Sequence, residues 1–193
     1  MMTWMKSDIP AVIFCGGYST RMGQPKHQLK LNGTYLWEHQ VNKLKTLFNE
    51  VYISCRAEQS KDFGSEQLIV DEHSDIGPMA GIIASLEQLK PRDVFVLSVD
   101  TPGIELSTMA NIASAKSAEH LACVALDEIN IQPLVAKWFN RSLPYLTMAV
   151  VSEVYSLTKV IKSNPYGSTR VDSHQLTNLN HWADFEEYLN QSN

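Results

Sequence analysis

Two spacings of apolar residues trade places along this chain. The uncharged run Ala11-Val12-Ile13-Phe14-Cys15 predicts a strand buried on both faces. Residues 36–48 then place Trp37, Val41, Leu44 and Phe48 at helical spacing, and Val51-Tyr52-Ile53-Ser54 returns to a strand pattern, so the first unit reads β-α-β. Leu68-Ile69-Val70 predicts a third strand. Gly77-Pro78 opens a helix with Met79, Ile82, Ile83, Leu86 and Leu89 on one face, proline being suited to a first helical turn. The strongest strand is Val94-Phe95-Val96-Leu97-Ser98-Val99, which reads as central and delivers Asp100 at its carboxyl end. Residues 121–126 and 134–139 read as later strands, and Trp182, Phe185 and Leu189 close the chain with an amphipathic helix. Trp37, Trp138 and Trp182 fit core faces. Such alternation predicts an α/β fold: one three-layer α/β/α domain with a mainly parallel sheet and right-handed crossovers.

Composition narrows the class. A chain of 193 residues suits one domain, and at this size roughly 70% of the unfolded surface can be buried. The net charge of -5 argues against a general nucleic-acid binder, so any phosphate ligand must be held by local basic groups. Cys15, Cys55 and Cys123 form no C-x-x-C pair; they read as small apolar strand residues, with neither a disulfide framework nor a zinc site indicated. The six histidines show no metal-ligand spacing, and His73 and His174 read as surface or loop residues. No basic-then-apolar leader precedes the first strand and no run of about 18 apolar residues occurs, so the expectation is a cytoplasmic protein with no membrane partner.

The stretch after the first strand carries the chemistry. Gly16-Gly17 lets the backbone turn and approach a ligand closely, Arg21 offers a planar fork suited to phosphate oxygens, and Lys26, expected on an exposed loop, adds a mobile point charge. It is no Walker A loop, because Gly23 is followed by Gln24-Pro25-Lys26. Nor does the spacing Gly16, Gly17, Gly23 fit G-x-G-x-x-G. Ligands of open α/β sheets bind beyond the carboxyl ends of the strands. Asp71 and Asp100 stand there as well. Alone, each is an ordinary turn residue. Beside a phosphate cradle, Asp100 is placed to hold Mg²⁺ against phosphate oxygens, since that ion takes few protein carboxylates.

Residue for residue, 14–26 resembles the signature L-x-G-G-x-S-x-R-M-G-x-x-K of the molybdenum cofactor guanylyltransferases and related nucleotidyltransferases. Val70-Asp71 followed by Gly77-Pro78-Met79-Ala80-Gly81-Ile82 is similar to the family's D-x(5)-G-P-L-A-G-I block, and Ser98 to Pro102 to its C-D-x-P block. Gln132-Pro133-Leu134-Val135-Ala136 and Asn178-Leu179-Asn180 resemble two further blocks, so the likeness runs almost end to end. It implies a Rossmann-like nucleotidyltransferase fold that joins GMP from GTP to a molybdopterin-type cofactor with release of pyrophosphate. The nucleotide half is expected at about 8–105 and the acceptor half at about 106–193. On this likeness the nucleotide is held by the backbone of Phe14, Cys15, Gly16 and Gly17 and by Arg21, Lys26, Ser54, Asp71 and Asp100. Pro133, Asn178 and Asn180 bind the acceptor, Asp100 is the Mg²⁺ ligand, and Arg21, Lys26 and Asp100 are catalytic. Cofactor-handing proteins of the same pathway are implied partners. The Gly-Gly form of the loop favours guanine over the Ala-Gly form of cytidylyltransferase relatives.

The chain departs from the pattern at Pro25, where the family commonly has Asp before the lysine, and at Tyr35, Ser54 and His181-Trp182; residues 143–158 contain no basic residue. Two other readings stay open: a nucleotidyltransferase with a different base or phosphorylated acceptor, and a non-catalytic nucleotide-binding paralogue.

Overall fold

The computed structural model describes residues 6–16, 25–71 and 76–191. β1 (Ala11–Phe14) leads to a small hairpin of β2 (Lys30–Leu31) and β3 (Thr34–Tyr35), then α1 (Leu36–Leu47), β4 (Val51–Arg56), β5 (Gln67–Asp71), α2 (Pro78–Leu89) and β6 (Val94–Ser98). There follow α3 (Leu106–Ser114), β7 (Ala122–Leu126), β8 (Ile131–Trp138), α4 (Leu143–Val151), α5 (Leu157–Lys162), β9 (Gly167–Arg170) and α6 (Trp182–Gln191). The seven-stranded sheet has the order β5-β4-β1-β6-β8-β7-β9, with β6 at its centre as the sequence predicts. β1 runs parallel to β4 and β6, β4 to β5, and β7 to β9, whereas β8 is antiparallel to both neighbours.

The reversal at β8 has a local cause. The Asp127 carboxylate accepts the N–H groups of Ile129 at 2.8 Å and Asn130 at 2.6 Å, closing a turn too short for anything but an antiparallel return. Where β8 pairs with β7, the register jumps from Val124↔Ala136 to Ala125↔Gln132, leaving residues 133–135 as a bulge. Pro133, which has no N–H to give to a ladder, sits in it.

Alternation along the strands builds two cores. Ala11, Ile13, Phe95 and Leu97 face one side with α1, α3 and Phe185 of α6, while Val12, Phe14, Val94 and Val96 face the other with α2, α4 and α5. That is the expected three-layer arrangement. Two glycines matter here. Gly77 takes φ 64° at the cap before α2, a left-handed conformation that a side chain would strain. Gly81 lets α2 approach the sheet: a Cβ there would lie 2.6 Å from Phe14 Cε1 and 2.7 Å from Ser54 Oγ.

Some expectations need correction. The central strand ends at Ser98 and not Val99, and the strand expected at 134–139 spans Ile131–Trp138. Trp182 is not a core residue. It is 48% exposed and donates its indole N–H to Glu186, because Phe185 takes the inward position of α6. α4 buries Leu146 and leaves Tyr145, Met148 and Val151 exposed. Among the described residues no helix is long and apolar enough to cross a membrane.

Candidate active site

Because Phe14 pairs in register with Ser98, the chain leaves β1 beside the point where it leaves β6. The two exits are stitched down. Cys15 donates its N–H to the Ser54 carbonyl at 2.9 Å, and Val99 donates to the Phe14 carbonyl at 3.1 Å. Phe14 and Cys15 are buried, and the Phe14 carbonyl and Cys15 N–H are taken up by these sheet-edge bonds, so Gly16 is the first residue past them. Gly17 and Arg21, together with His73, lie outside the described residues. Burial pushes the Cys15 thiol well above its ordinary range, with Cys55 and Asp100 adding to the effect, so the sulfur stays protonated and is no nucleophile.

Lys26 was expected on an exposed loop, yet its side chain is only 16% exposed. It projects from a short 3-10 turn, Lys26–Gln28, whose next two residues are anchored to a single carboxylate. His27 is hydrogen-bonded to Asp62 at 3.1 Å, Gln28 donates to the same oxygen, and the buried His27 ring packs on Phe63 at 5.0 Å. The His27 hydrogen bond holds the Asp62 carboxyl below the usual range. With its base fixed, Lys26 reaches across to β6 and donates to Asp100 Oδ2 at 2.5 Å and to Asn180 Oδ1 at 2.8 Å.

Asp100 is surrounded by partners. Ser98 donates its hydroxyl to Oδ1, and the Asp100 carbonyl accepts the Leu179 N–H at 2.9 Å. Thr101 donates its hydroxyl to Asn178 Oδ1 at 2.8 Å. From below, α1 supports the same turn: Gln40, fully buried, donates to the Thr101 carbonyl at 3.0 Å, and Lys43 donates to the Pro102 carbonyl at 2.9 Å. Burial brings the Lys43 ammonium down to about 8. The Asp184 carboxylate caps the N–H groups of His181 and Asn180, which keep its pKa low, and so fixes the segment that carries Asn180.

The predicted residues therefore separate into two places. Asp100, Pro133 and Asn178 line one cavity of about 380 Å³, with Ser98, Thr101 and Pro78 in its wall; Lys26 meets Asp100 directly, and Asn180 is joined to it through the Lys26 ammonium. Asp71 does not join them. It ends the edge strand β5, in register with Arg56, and lines another cavity of about 380 Å³ with Ile76, Ala80 and Glu87. Three strand spacings, roughly 14 Å, separate it from β6. Ser54 is buried, with its hydroxyl close to Gly81 on α2. Sequence reasoning missed Ser98, Gln40 and Asp184 as parts of the site. Gln40 left a signal as a polar residue among the apolar positions of its helix, and Asp184 one as the aspartate six residues after Asn178.

Among the described residues no group of three or more His, Cys, Asp or Glu could hold a metal ion. The donor chemistry nevertheless fits Mg²⁺: one carboxylate at a strand end, already accepting a cation and opening onto a cavity, is what an ion needs when substrate phosphates supply its other ligands.

A mostly parallel sheet in which the Lys26 ammonium meets the Asp100 carboxylate just beyond the carboxyl end of β6 defines an α/β protein with a polar site where ligands of such sheets bind. Residues 11–166 match the MobA-like NTP transferase domain, and the chain belongs to that nucleotidyltransferase family, whose substrate class is a nucleoside triphosphate. Its fold is shared with molybdopterin-guanine dinucleotide biosynthesis protein A of Archaeoglobus fulgidus, at TM-score 0.82 and 20% identity over 95% of this chain and 98% of that one. It is also similar to 2-C-methyl-D-erythritol 4-phosphate cytidylyltransferase of Thermus thermophilus, at TM-score 0.73 and 15% identity over 96% and 99%. Rv0371c of Mycobacterium tuberculosis, solved in complex with manganese, aligns at TM-score 0.69 and 17% identity over 95% and 99%.

Proposed function

We propose that this protein transfers GMP from GTP to the terminal phosphate of a molybdopterin-type cofactor and releases pyrophosphate. The observation that carries this reading is the Lys26–Asp100–Asn180 cluster, whose Asp100 lines a cavity together with Pro133 and Asn178. On this reading the chain is one domain of two halves, about 8–105 for the nucleotide and about 106–193 for the acceptor. The triphosphate lies over Gly16, Gly17, Arg21 and Lys26, and the nucleoside extends toward Ser54 and Asp71, a distance that an extended nucleotide can bridge.

An acceptor phosphate oxygen attacks the α-phosphorus in line, the bond to the bridging oxygen breaks, and pyrophosphate carries away the electron pair. An acceptor phosphate is ionised near pH 7, so no covalent nucleophile is needed and the protein's task is positioning and charge neutralisation. Lys26 and Arg21 stabilise phosphate oxygens as they gain charge. Asp100 would hold Mg²⁺, which when bound neutralises phosphate charge. Asn178 and Asn180, with Pro133, border the acceptor.

The test is pyrophosphate release with Mg²⁺ and a molybdopterin acceptor, using GTP, CTP, ATP and UTP in turn. Turnover with GTP well above the others is expected. Preference for CTP would overturn the guanine assignment, and binding of GTP without turnover would favour a non-catalytic nucleotide-binding protein.

A further inference from the structure

We infer that the Lys26 ammonium is the resident counter-ion of Asp100 in the nucleotide-free protein, so that a divalent cation enters only together with a nucleoside triphosphate. This deepens the reading of Asp100 as metal ligand and rests on it. Both carboxylate oxygens of Asp100 are engaged: Oδ1 accepts the Ser98 hydroxyl, and Oδ2 accepts Lys26 at 2.5 Å. The ammonium is held there by a second acceptor, Asn180 Oδ1 at 2.8 Å, and by a turn whose His27 and Gln28 are tied to Asp62. Asn180 is itself fixed, since its N–H and that of His181 bind Asp184.

A divalent ion approaching Oδ2 therefore meets a tethered positive charge a few ångströms away, in a site only 16% exposed, where repulsion is weakly screened. Entry requires Lys26 to leave, and the neutral amide of Asn180 does not replace the charge of Asp100. A triphosphate supplies that replacement. It draws Lys26 onto its own oxygens, clears Oδ2 and brings the remaining ligands of the ion. One side chain thus serves two occupancies, and Asn180 is released from Lys26 in the same step.

The experiment is titration of the intact protein with Mn²⁺, followed by water-proton relaxation, with and without GTP. Without GTP the wild type should bind Mn²⁺ at least tenfold more weakly than Lys26→Met, and Asn180→Ala, which removes the amide acceptor, should fall between them. Adding Asp100→Asn to Lys26→Met should abolish the gain. Equal affinities of wild type and Lys26→Met without GTP, or a gain that survives Asp100→Asn, would overturn the inference. If Asp100→Asn abolishes GTP-dependent Mn²⁺ binding while Lys26→Met gains nothing without GTP, the resident-cation inference fails alone. If Asp100→Asn still takes up Mn²⁺ with GTP, the metal-ligand reading fails with it.

Discussion

The two halves of the sheet hold their parts of the site in different ways. In the parallel half, β5-β4-β1-β6, position is set by backbone register and by close packing of α2: Phe14 sits against Ser98, and Gly81 permits a contact that one extra carbon would block. In the half beyond β6, the reversal at β8 and the bulge at 133–135 leave fewer ladder constraints near the cavity. There the segment 178–181 reaches Asp100 and Lys26 and is fixed by individual hydrogen bonds: Leu179 and His181 donate their N–H groups to the Asp100 carbonyl and to Asp184, while the Asn178 and Asn180 side chains accept from Thr101 and Lys26. A register-built site tolerates little change in packing. A side-chain-tied segment can lose one bond and remain folded.

The largest effect on stability is expected at Gly81. In a solvent-facing helix Gly→Ala stabilises by about 1 kcal/mol, but here the new methyl group meets the Phe14 ring and Ser54 at under 3 Å. Gly81→Ala should destabilise by about 2 kcal/mol, and calorimetry should show a Tm lowered by about 4–8 °C. An unchanged or raised Tm would show that α2 is not packed so closely. A smaller change is expected from Thr101→Val, which removes the bond to Asn178 and should cost about 1 kcal/mol. Its signature is local, with faster amide hydrogen exchange at 178–181 and protection in β1 and β6 retained. Loss of protection in both halves together would break the contrast.

The same contrast explains what could be read from the sequence. Apolar runs and helical spacings gave the order β1, α1, β4, β5, α2, β6, and the central position of β6, because buried strands and amphipathic helices are local patterns. The bulge at Pro133 and the small elements β2, β3, α5 and β9 are tertiary outcomes that no local pattern announces, and the reversal at β8 rests on the short Asp127 turn, which the apolar runs on either side do not mark. For the site, the family likeness marked Lys26, Asp100, Pro133, Asn178 and Asn180; Asp100, Pro133 and Asn178 line one cavity, and Lys26 links Asp100 to Asn180. That Lys26 binds Asp100 and Asn180 across 74 and 154 residues of chain was beyond sequence reasoning. So was the exposed position of Trp182, which shares a face with Phe185 by spacing but stands at the very start of α6.

The central claim is that the charge of Asp100 serves nucleotidyl transfer, and the most direct measurement is the turnover of Asp100→Asn. The substitution keeps the volume and an acceptor oxygen for Ser98, and circular dichroism establishes that the fold is retained. GTP-dependent pyrophosphate release with a molybdopterin acceptor should fall by about a hundredfold or more, the scale expected when strong transition-state charge stabilisation is lost. A folded Asp100→Asn protein that turns over near the wild-type rate at the same Mg²⁺ requirement would contradict the account and reduce Asp100 to a turn residue.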